Sequence, residues 1–339
     1  MQGDALEEMV SVIVVAYNEE ATIRRALDSV LMQECHLPVE IVVGEDCSTD
    51  GTRAICEEYA RRFPSAVRLM EKAPNKGVID NYYDCLLACR GKYIADCAGD
   101  DFWTDRLKLE KEVRIMEKDE RVTIVHTDWN YYNEATGESF HAGRQEFASA
   151  LTDGRDMLEA IITQTKRPVI HLCTALYRAS AIRKAYFSRP EMFRNKAFRC
   201  EDLQICFAMA EMGVVAYIPE CTLNYSHGGE TVSSSASDTR QFAFVKGVTE
   251  LSFYLSITYN IRGRRVEKYF SKRLFDLLMH AFRSRSAALR DDALSCGRRW
   301  KARQTPLTWA ARAVMSNAAT WELVTCARKV FVWLKSSHA

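Results

Sequence analysis

Residues 10–16, VSVIVVA, form an unbroken β-branched run, too short for a buried helix and suited to a central strand covered on both faces. The run stops at Tyr17 and Asn18. Ile23, Ala26, Leu27, Val30 and Leu31 then recur at helical spacing, with Asn18 as an upstream cap. Residues 41–44 repeat the strand signal, and Ile55, Tyr59 and Phe63 repeat the helical one. Residues 67–70, 79–89 and 93–97 continue as strand, helix and strand; 106–116 and 203–212 read as helices and 214–218 as a strand. This alternation predicts an α/β fold whose central sheet is mostly parallel, with crossover helices on both faces. From Phe242 onward the pattern is helical, with Leu274, Leu277, Leu278, Ala281 and Phe282 as an apolar stripe. The expected division is an α/β domain over residues 1–239 and a C-terminal α-helical extension over 240–339, parted near the polar stretch TVSSSASDTR at 231–240.

Composition narrows the class. With 47% hydrophobic residues, 7 Pro and 15 Gly in 339, the chain is globular, and collagen-like or low-complexity architectures are excluded. The net charge of +1 conceals a split: from Arg240 onward 19 Lys and Arg face 6 Asp and Glu, a net of +13, which leaves residues 1–239 at −12. An acidic front does not suit a nucleic-acid reader, so no nucleic-acid partner is expected, whereas a basic tail suits an anionic partner or membrane surface. The 12 Cys include no C-x-x-C pair and read as reduced thiols of the cytoplasm. The opening MQGDALEEM lacks the features of a signal peptide, and no apolar run reaches the roughly 18 residues of a membrane span. The expected location is cytoplasmic, including the cytoplasmic face of the membrane.

Ligands of such sheets bind beyond the carboxyl ends of the strands. Tyr17-Asn18, Glu45-Asp46, Asn75-Lys76-Gly77 and Gly99-Asp100-Asp101 all fall there. No G-x-G-x-x-G and no G-x-x-x-x-G-K-[ST] is present, so a nucleotide would be held by carboxylates and a metal. Glu45-Asp46 suits two roles: accepting from the N3–H of uracil, which rejects a base lacking that donor, or closing a turn with the following STDGT. Asp50-Gly51-Thr52 is read as turn alone. Asp100 and Asp101 suit Mg²⁺ or Mn²⁺, which needs only one or two protein carboxylates beside substrate phosphates, or the acidic start of the next helix. Glu201-Asp202 either caps the helix that follows or holds a general base at a rigid helix end. His227 is a metal or phosphate ligand or a solvated loop residue. His171 and Thr174 lie in a strand expected over 168–177, as acceptor contacts or as ordinary half-buried residues. Residues 228–240 read as a lid or a linker.

In order along the chain, SVIVVAYNEE (11–20), EIVVGEDCSTDGT (40–52), NKGVIDN (75–81), GKYIADCAGDDFW (91–103) and Glu201-Asp202 before a helix resemble the inverting nucleotide-sugar glycosyltransferases of the GT-A fold, often called family two. The resemblance covers residues 9–230. It implies that Tyr17 lies against uracil, that Asp46 accepts from uracil N3–H with Glu45 beside it, and that Asp100 coordinates the divalent ion on the diphosphate. Asp101 and His227 are its further ligands. Asn75, Gly77 and Asn81 would serve the nucleotide side, Trp103 would border the sugar, and Asp202 would deprotonate the acceptor hydroxyl. Two departures stand out: Ala98 occupies the place of the first acid in the family's D-x-D element, and Glu45 replaces an Asp.

The function so implied is transfer of a sugar from a UDP-sugar to a saccharide or lipid-linked acceptor with inversion, assisted by Mg²⁺ or Mn²⁺, as in envelope polysaccharide assembly. Two other classes compete. A catalytically silent nucleotide-sugar-binding subunit has Ala98 in its favour and Asp46, Asp100 and Asp202 against it. A nucleotidyltransferase would need a glycine-rich phosphate loop after the first strand, which AYNEEATIRR lacks. In the tail, Trp300, Trp309, Trp321 and Trp333 stand among many Arg and Lys, a composition fitting either a membrane interface or a helical appendage that packs on protein.

Overall fold

The computed structural model describes residues 6–142, 149–164, 170–227 and 237–325. The chain divides into two compact units, Met1–Lys196 with Cys200–Gly229, and Ala197–Arg199 with Glu230–Ala339.

The first unit opens with the predicted alternation: β1 (Glu7–Ala16), α1 (Ile23–Leu31), β2 (Val39–Glu45), α2 (Thr52–Arg62), β3 (Val67–Leu69), α3 (Val78–Ala88) and β4 (Gly91–Asp96). It continues through β5 (Phe102–Trp103), α4 (Lys108–Lys118), β6 (Val122–Asn133), β7 (Ser139–His141), β8 (Leu151–Asp153), α5 (Gly154–Thr163), β9 (Ala175–Arg178), α6 (Ala179–Ser188), α7 (Pro190–Phe193), α8 (Asp202–Met212) and β10 (Val214–His227). The strands form one sheet in the order β3-β2-β1-β4-β9-β6-β10-β5, with β7 on β6 and β8 on β10. β1 to β4, β6 and β10 share one direction, and β9 is inserted antiparallel between β4 and β6 through the pairs Leu176 with Ala95 and Leu176 with Val125. Val10, Val12, Val14, Ile41 and Val43 are buried, as a strand covered on both faces requires. Ile23, Ala26, Leu27 and Val30 bring the apolar stripe of α1 onto that sheet. Full burial of each Leu, Ile or Val contributes roughly 1.5–3 kcal/mol.

Two local expectations change. Among the described residues of 168–177, which begin at Ile170, only Ala175 onward is strand, because Leu172–Thr174 turns as a 3₁₀ helix and Thr174 Oγ1 donates to the His171 carbonyl at 2.7 Å. The strand expected at 214–218 runs on to His227, paired in parallel with β6 as far as Asn133. That extension carries Tyr225, Ser226 and His227 to the loops at the carboxyl ends.

The second unit is helical: α9 (Asp238–Thr258), α10 (Arg264–Arg283), α11 (Ala287–Arg299) and α12 (Pro306–Met315). The predicted stripe on α10 is its core, since Leu274, Leu277, Leu278, Ala281 and Phe282 are buried. Trp300 and Trp321 are also buried, Trp321 stacking on Phe282 at 6.3 Å, so these two pack on protein. Trp309 is 59% exposed and Leu307, on the same helix, 62%. Trp333 and most of 228–240 lie outside the described residues. Among those described, no helix is long and apolar enough to cross a membrane.

Candidate active site

The loops after β1 and β2 are laced together. Asn18, held at φ 57°, donates its amide to Ser48 Oγ at 3.0 Å, and its side-chain oxygen accepts from Thr49 N at 2.8 Å. Glu19 N donates to Thr52 Oγ1 at 2.8 Å, Glu20 N to Asp50 Oδ2 at 3.1 Å, and Gly51 N to Glu20 Oε2 at 2.9 Å. Asp50-Gly51-Thr52 is thus the turn its sequence suggests. Tyr17, at the head of this pair of loops, is 48% exposed.

The acids after β2 are tied into their loop, with only Glu45 Oε2 lacking a hydrogen bond. Asp46 is buried; its Oδ1 accepts from Lys76 N and its Oδ2 from Gly77 N, both at 2.9 Å, while Asn75 Nδ2 donates to the Asp46 carbonyl at 2.8 Å. Gly77 adopts φ 84°, a conformation strained for residues with a side chain, and this lets successive amides face one carboxylate. Glu45 Oε1 accepts from Ser48 N at 2.5 Å, and its Oε2 lies 3.6 Å from Arg53 Nη1. Asn81 is buried and donates to the Gly44 carbonyl at 2.7 Å. Glu45 and Asn81 therefore tie the loop and strand end in place, and the turn reading of Glu45-Asp46 describes much of what they do. Each Asp46 oxygen keeps a second lone pair for a further donor.

The acids after β4 are in a different condition. Ser226 Oγ donates to the Asp100 carbonyl at 2.6 Å, and Ser226 N donates to Asp101 Oδ1 at 2.9 Å. Asp101 is 1% exposed and its Oδ2 has no hydrogen-bond partner. Burial raises both carboxyls above the usual range, helped for Asp100 by Glu134 and for Asp101 by Asp100. Arg25 lies 4.1 Å over the Phe102 ring, donates to the Asp100 carbonyl at 3.3 Å and pairs with Glu134, so it braces this segment. His227 packs against Phe140 at 5.5 Å and Tyr131 at 6.0 Å, and its Nε2 is buried without a partner.

Desolvation pushes Asp202 up to about 6, and its charge is felt by Asp96, Asp101 and Tyr225, so it shares one electrostatic neighbourhood with the acids after β4. Glu201 is pushed to about 8, by burial first and by Asp202 second. Glu201 holds the N-cap position of α8 and makes no side-chain capping bond. Trp103, expected beside the sugar, is 1% exposed: its indole N–H donates to the Cys173 carbonyl at 3.0 Å and Lys108 Nζ lies 4.6 Å from its ring, so it is a core pillar. His171 packs at a tilt against Tyr225 at 4.6 Å and burial holds it down to about 4, whereas the Thr174 hydroxyl is spent on backbone.

Four side chains that the sequence reading passed over belong to this region: Glu19, Arg25, Asp96 and Tyr225. Asp96 is buried at the end of β4, accepts from the Tyr82 hydroxyl at 2.7 Å, and is raised to about 8 by burial. An acid inside the apolar run YIADC was its signal. Arg25 gave none, because its partners lie 75 to 201 positions away. For a hard divalent cation the donors suit: they are carboxylate oxygens, and Asp101 Oδ2 is buried with nothing bound to it. Among the described residues the three metal-ligating atoms within 4.8 Å of one another belong instead to Cys35, His36 and Glu110, in an ion-paired cluster before β2, at the other end of the sheet. Asp100, Asp101 and His227 do not converge to that degree; like charges repel, and Asp101 is turned toward Ser226.

The chain is similar to known proteins. An uncharacterized protein of Mycobacterium tuberculosis is 43% identical over 114 residues, which is 34% of this chain and 33% of that protein. The Escherichia coli UDP-Glc:alpha-D-GlcNAc-diphosphoundecaprenol beta-1,3-glucosyltransferase WfaP is 32% identical over 127 residues, 38% of this chain and 47% of WfaP. The matches thus span about a third to a half of these relatives. In fold the chain is similar to S. aureus TarS 1–349 in complex with UDP-GlcNAc, at a TM-score of 0.52 and 13% identity over 87% of this chain and 92% of that fragment. It is likewise similar to the mannosyltransferase PcManGT of Pyrobaculum calidifontis in complex with GDP-Man and Mn²⁺, at a TM-score of 0.51 and 17% identity over 96% of this chain and 87% of PcManGT. The description "Glycosyl transferase family 2" matches residues 11–185, the stretch that holds β1 to β4, Asp46 and Asp100-Asp101, and the chain belongs to that family.

Proposed function

We propose that the protein transfers a sugar from a UDP-sugar to the hydroxyl of a saccharide or lipid-linked acceptor, with inversion at the anomeric carbon. The observation that carries this reading is Asp202: the first residue of α8, next to an N-cap Glu201 that makes no side-chain capping bond, raised to about 6 and in the same electrostatic neighbourhood as Asp101. Its ionised form takes the acceptor proton as the acceptor oxygen attacks. The bond between the anomeric carbon and the diphosphate oxygen breaks on the opposite face, so one displacement inverts the configuration. A positioned base of this kind contributes about 10²–10⁴ in rate.

Tyr17, exposed at the end of β1, is assigned the uracil face, and Asp46 the uracil N3–H through a free lone pair, with Glu45, Asn75, Gly77 and Asn81 holding that loop. Asp100 is assigned the divalent cation, with Asp101 and His227 beside it. When bound there, Mg²⁺ or Mn²⁺ stabilises the negative charge of the departing diphosphate as a Lewis acid. UDP-GlcNAc in TarS and the UDP-Glc of the WfaP name support a uridine donor; the diphosphoundecaprenol of that name supports a lipid-linked acceptor. Mn²⁺ in PcManGT supports the metal. Contact with an anionic membrane surface is supported by Leu307 and Trp309, exposed on α12 with Arg312 lying 5.2 Å over the Trp309 ring.

The test is a donor screen by nucleoside-diphosphate release, with Mn²⁺, Mg²⁺ or chelator, joined to calorimetry of UDP with parent and Asp46→Ala. Release from UDP-sugars only with divalent cation, and weakened UDP binding in the variant, are expected. Full turnover in excess chelator would remove the metal, and equal UDP affinity at matched stability would remove Asp46.

A further inference from the structure

We propose that Glu19 is a ligand of the divalent cation at Asp100, supplying the carboxylate that residue 98, an alanine, does not. The proposal rests on the assignment of Asp100 above. The segment from Cys97 to Asp101 offers only two acids, and one of them, Asp101, has an oxygen committed to Ser226 N. Glu19 reaches the segment from the loop after β1.

Of the three residues that lace this loop to the next, Asn18 and Glu20 spend their side chains on it, accepting from Thr49 N and Gly51 N. Glu19 contributes its backbone amide, to Thr52 Oγ1, and its carboxylate, which has the Tyr17 amide near one side, keeps Oε2 free of that loop. That carboxylate crosses Gly99: a Cβ on residue 99 would stand 1.9 Å from Glu19 Oε2. The approach exists only because residue 99 has no side chain. Glu19 Oε2 is buried and accepts no hydrogen bond, as is Asp101 Oδ2. Asp100 and Asp101 are the charges that Glu19 feels most strongly. Arg25, the cation that braces the segment, is taken up by Glu134, the Asp100 carbonyl and the Phe102 ring. Three desolvated carboxylates, two of them with an orphaned oxygen on Glu19 and Asp101, are costly unless a cation joins them. An all-oxygen set is the chemistry of Mg²⁺ and Mn²⁺, and positive charge at its centre removes the repulsion that keeps the three apart.

Binding of Mn²⁺ to the full chain in the presence of UDP, by calorimetry and electron paramagnetic resonance, tests the assignment. Glu19→Gln is expected to weaken Mn²⁺ roughly 10–100-fold, while UDP affinity in chelator and the unfolding midpoint stay at parental values. Adding Ala98→Asp to Glu19→Gln is expected to restore most of the Mn²⁺ affinity. Parental Mn²⁺ affinity in Glu19→Gln, beside a loss in Asp100→Asn, would overturn the proposal and leave the metal site standing. Loss without recovery in the double variant would overturn the replacement of residue 98. If Asp100→Asn also binds Mn²⁺ like the parent, the assignment of Asp100 itself has failed, which separates the two failures.

Discussion

Asp46 and Asp101 are both buried acids beyond the carboxyl ends of the two parallel strands that flank β1, yet they are built oppositely. Around Asp46 the chain supplies a donor to each oxygen, from Lys76 N and Gly77 N, so the carboxylate is the keystone of a loop that is complete in itself. Around Asp101 it supplies one backbone donor, from Ser226, with the Cys173 thiol beside it, and Glu19, Asp96 and Asp101 each keep a buried oxygen with no hydrogen-bond partner, whereas the one such oxygen beside Asp46, on Glu45, faces Arg53. Burial costs a carboxylate little when amides replace its water and much when they do not. The contrast separates acids that build the site from acids that wait for a proton or a cation, and substitutions should divide along the same line.

The widest separation is expected at Asp202. It is assigned no contact with nucleotide, so Asp202→Asn should leave UDP affinity unchanged while transfer falls by about 10²–10⁴. Asn starts a helix as well as Asp does, so a purely structural role predicts parental turnover. Single-turnover rates beside calorimetry distinguish the two; a variant of normal stability that transfers sugar at the parental rate would move the base to Glu201.

Why one half of this contrast was legible in the sequence and the other was not has a physical reason. The strands, the helices and the acids at strand ends follow from periodicity and local turn chemistry, which short segments carry on their own. They place the pairs Glu45-Asp46, Asp100-Asp101 and Glu201-Asp202, from which the family resemblance singles out Asp46, Asp100 and Asp202. What a carboxylate accepts is decided by segments remote in sequence: Lys76 and Gly77 for Asp46, Ser226 for Asp101, Gly99 for Glu19. The sequence reading therefore treated Asn81 and Trp103 as ligand contacts although both are consumed inside the protein, and it passed over Glu19, whose importance depends on a glycine 80 positions later. Long β6, and the extension of β10 that brings Ser226 to the site, escaped because VTIVHTDWNYYN and ECTLNYSH carry polar residues that only the paired strands satisfy.

The next separation is one of sign, in a single kind of substitution. Asp46→Asn puts an amide N–H₂ opposite one of two backbone donors, so folding stability should drop by about 1–3 kcal/mol. Asp96→Asn should act the other way. Burial raises Asp96 to about 8, so at pH 7 the folded chain keeps a proton that the unfolded chain has released, at a cost to stability; asparagine is neutral in both states. A gain of about 1–3 kcal/mol at pH 7 is expected, shrinking as the pH falls toward 4, where the unfolded aspartate also holds its proton. Urea unfolding of both variants at pH 7 and pH 4 checks it. A loss at Asp96 equal to that at Asp46 would erase the distinction between the two groups.

The smallest effect has two readouts that must move in opposite directions as pH rises. Asp202 is raised to about 6 by desolvation, while the ordinary unfolded aspartate titrates near 3.9. Only the ionised carboxylate accepts the acceptor proton, so transfer should rise with pH through about 6 and stand, at pH 5, about tenfold below its plateau. For stability the sign reverses. A raised carboxyl makes its full contribution below the unfolded value, and that contribution is lost as the pH climbs from about 4 through about 6, because the unfolded state ionises first. Asp202→Asn should therefore lose the pH step in residual transfer and flatten the pH dependence of the unfolding midpoint over the same interval. Measured together, the two curves tie the step in rate to the burial of this one carboxylate. A parental profile that keeps its step while Asp202→Asn leaves the stability curve unchanged would assign the step to another group, and Asp202 would then belong with the acids that build the site.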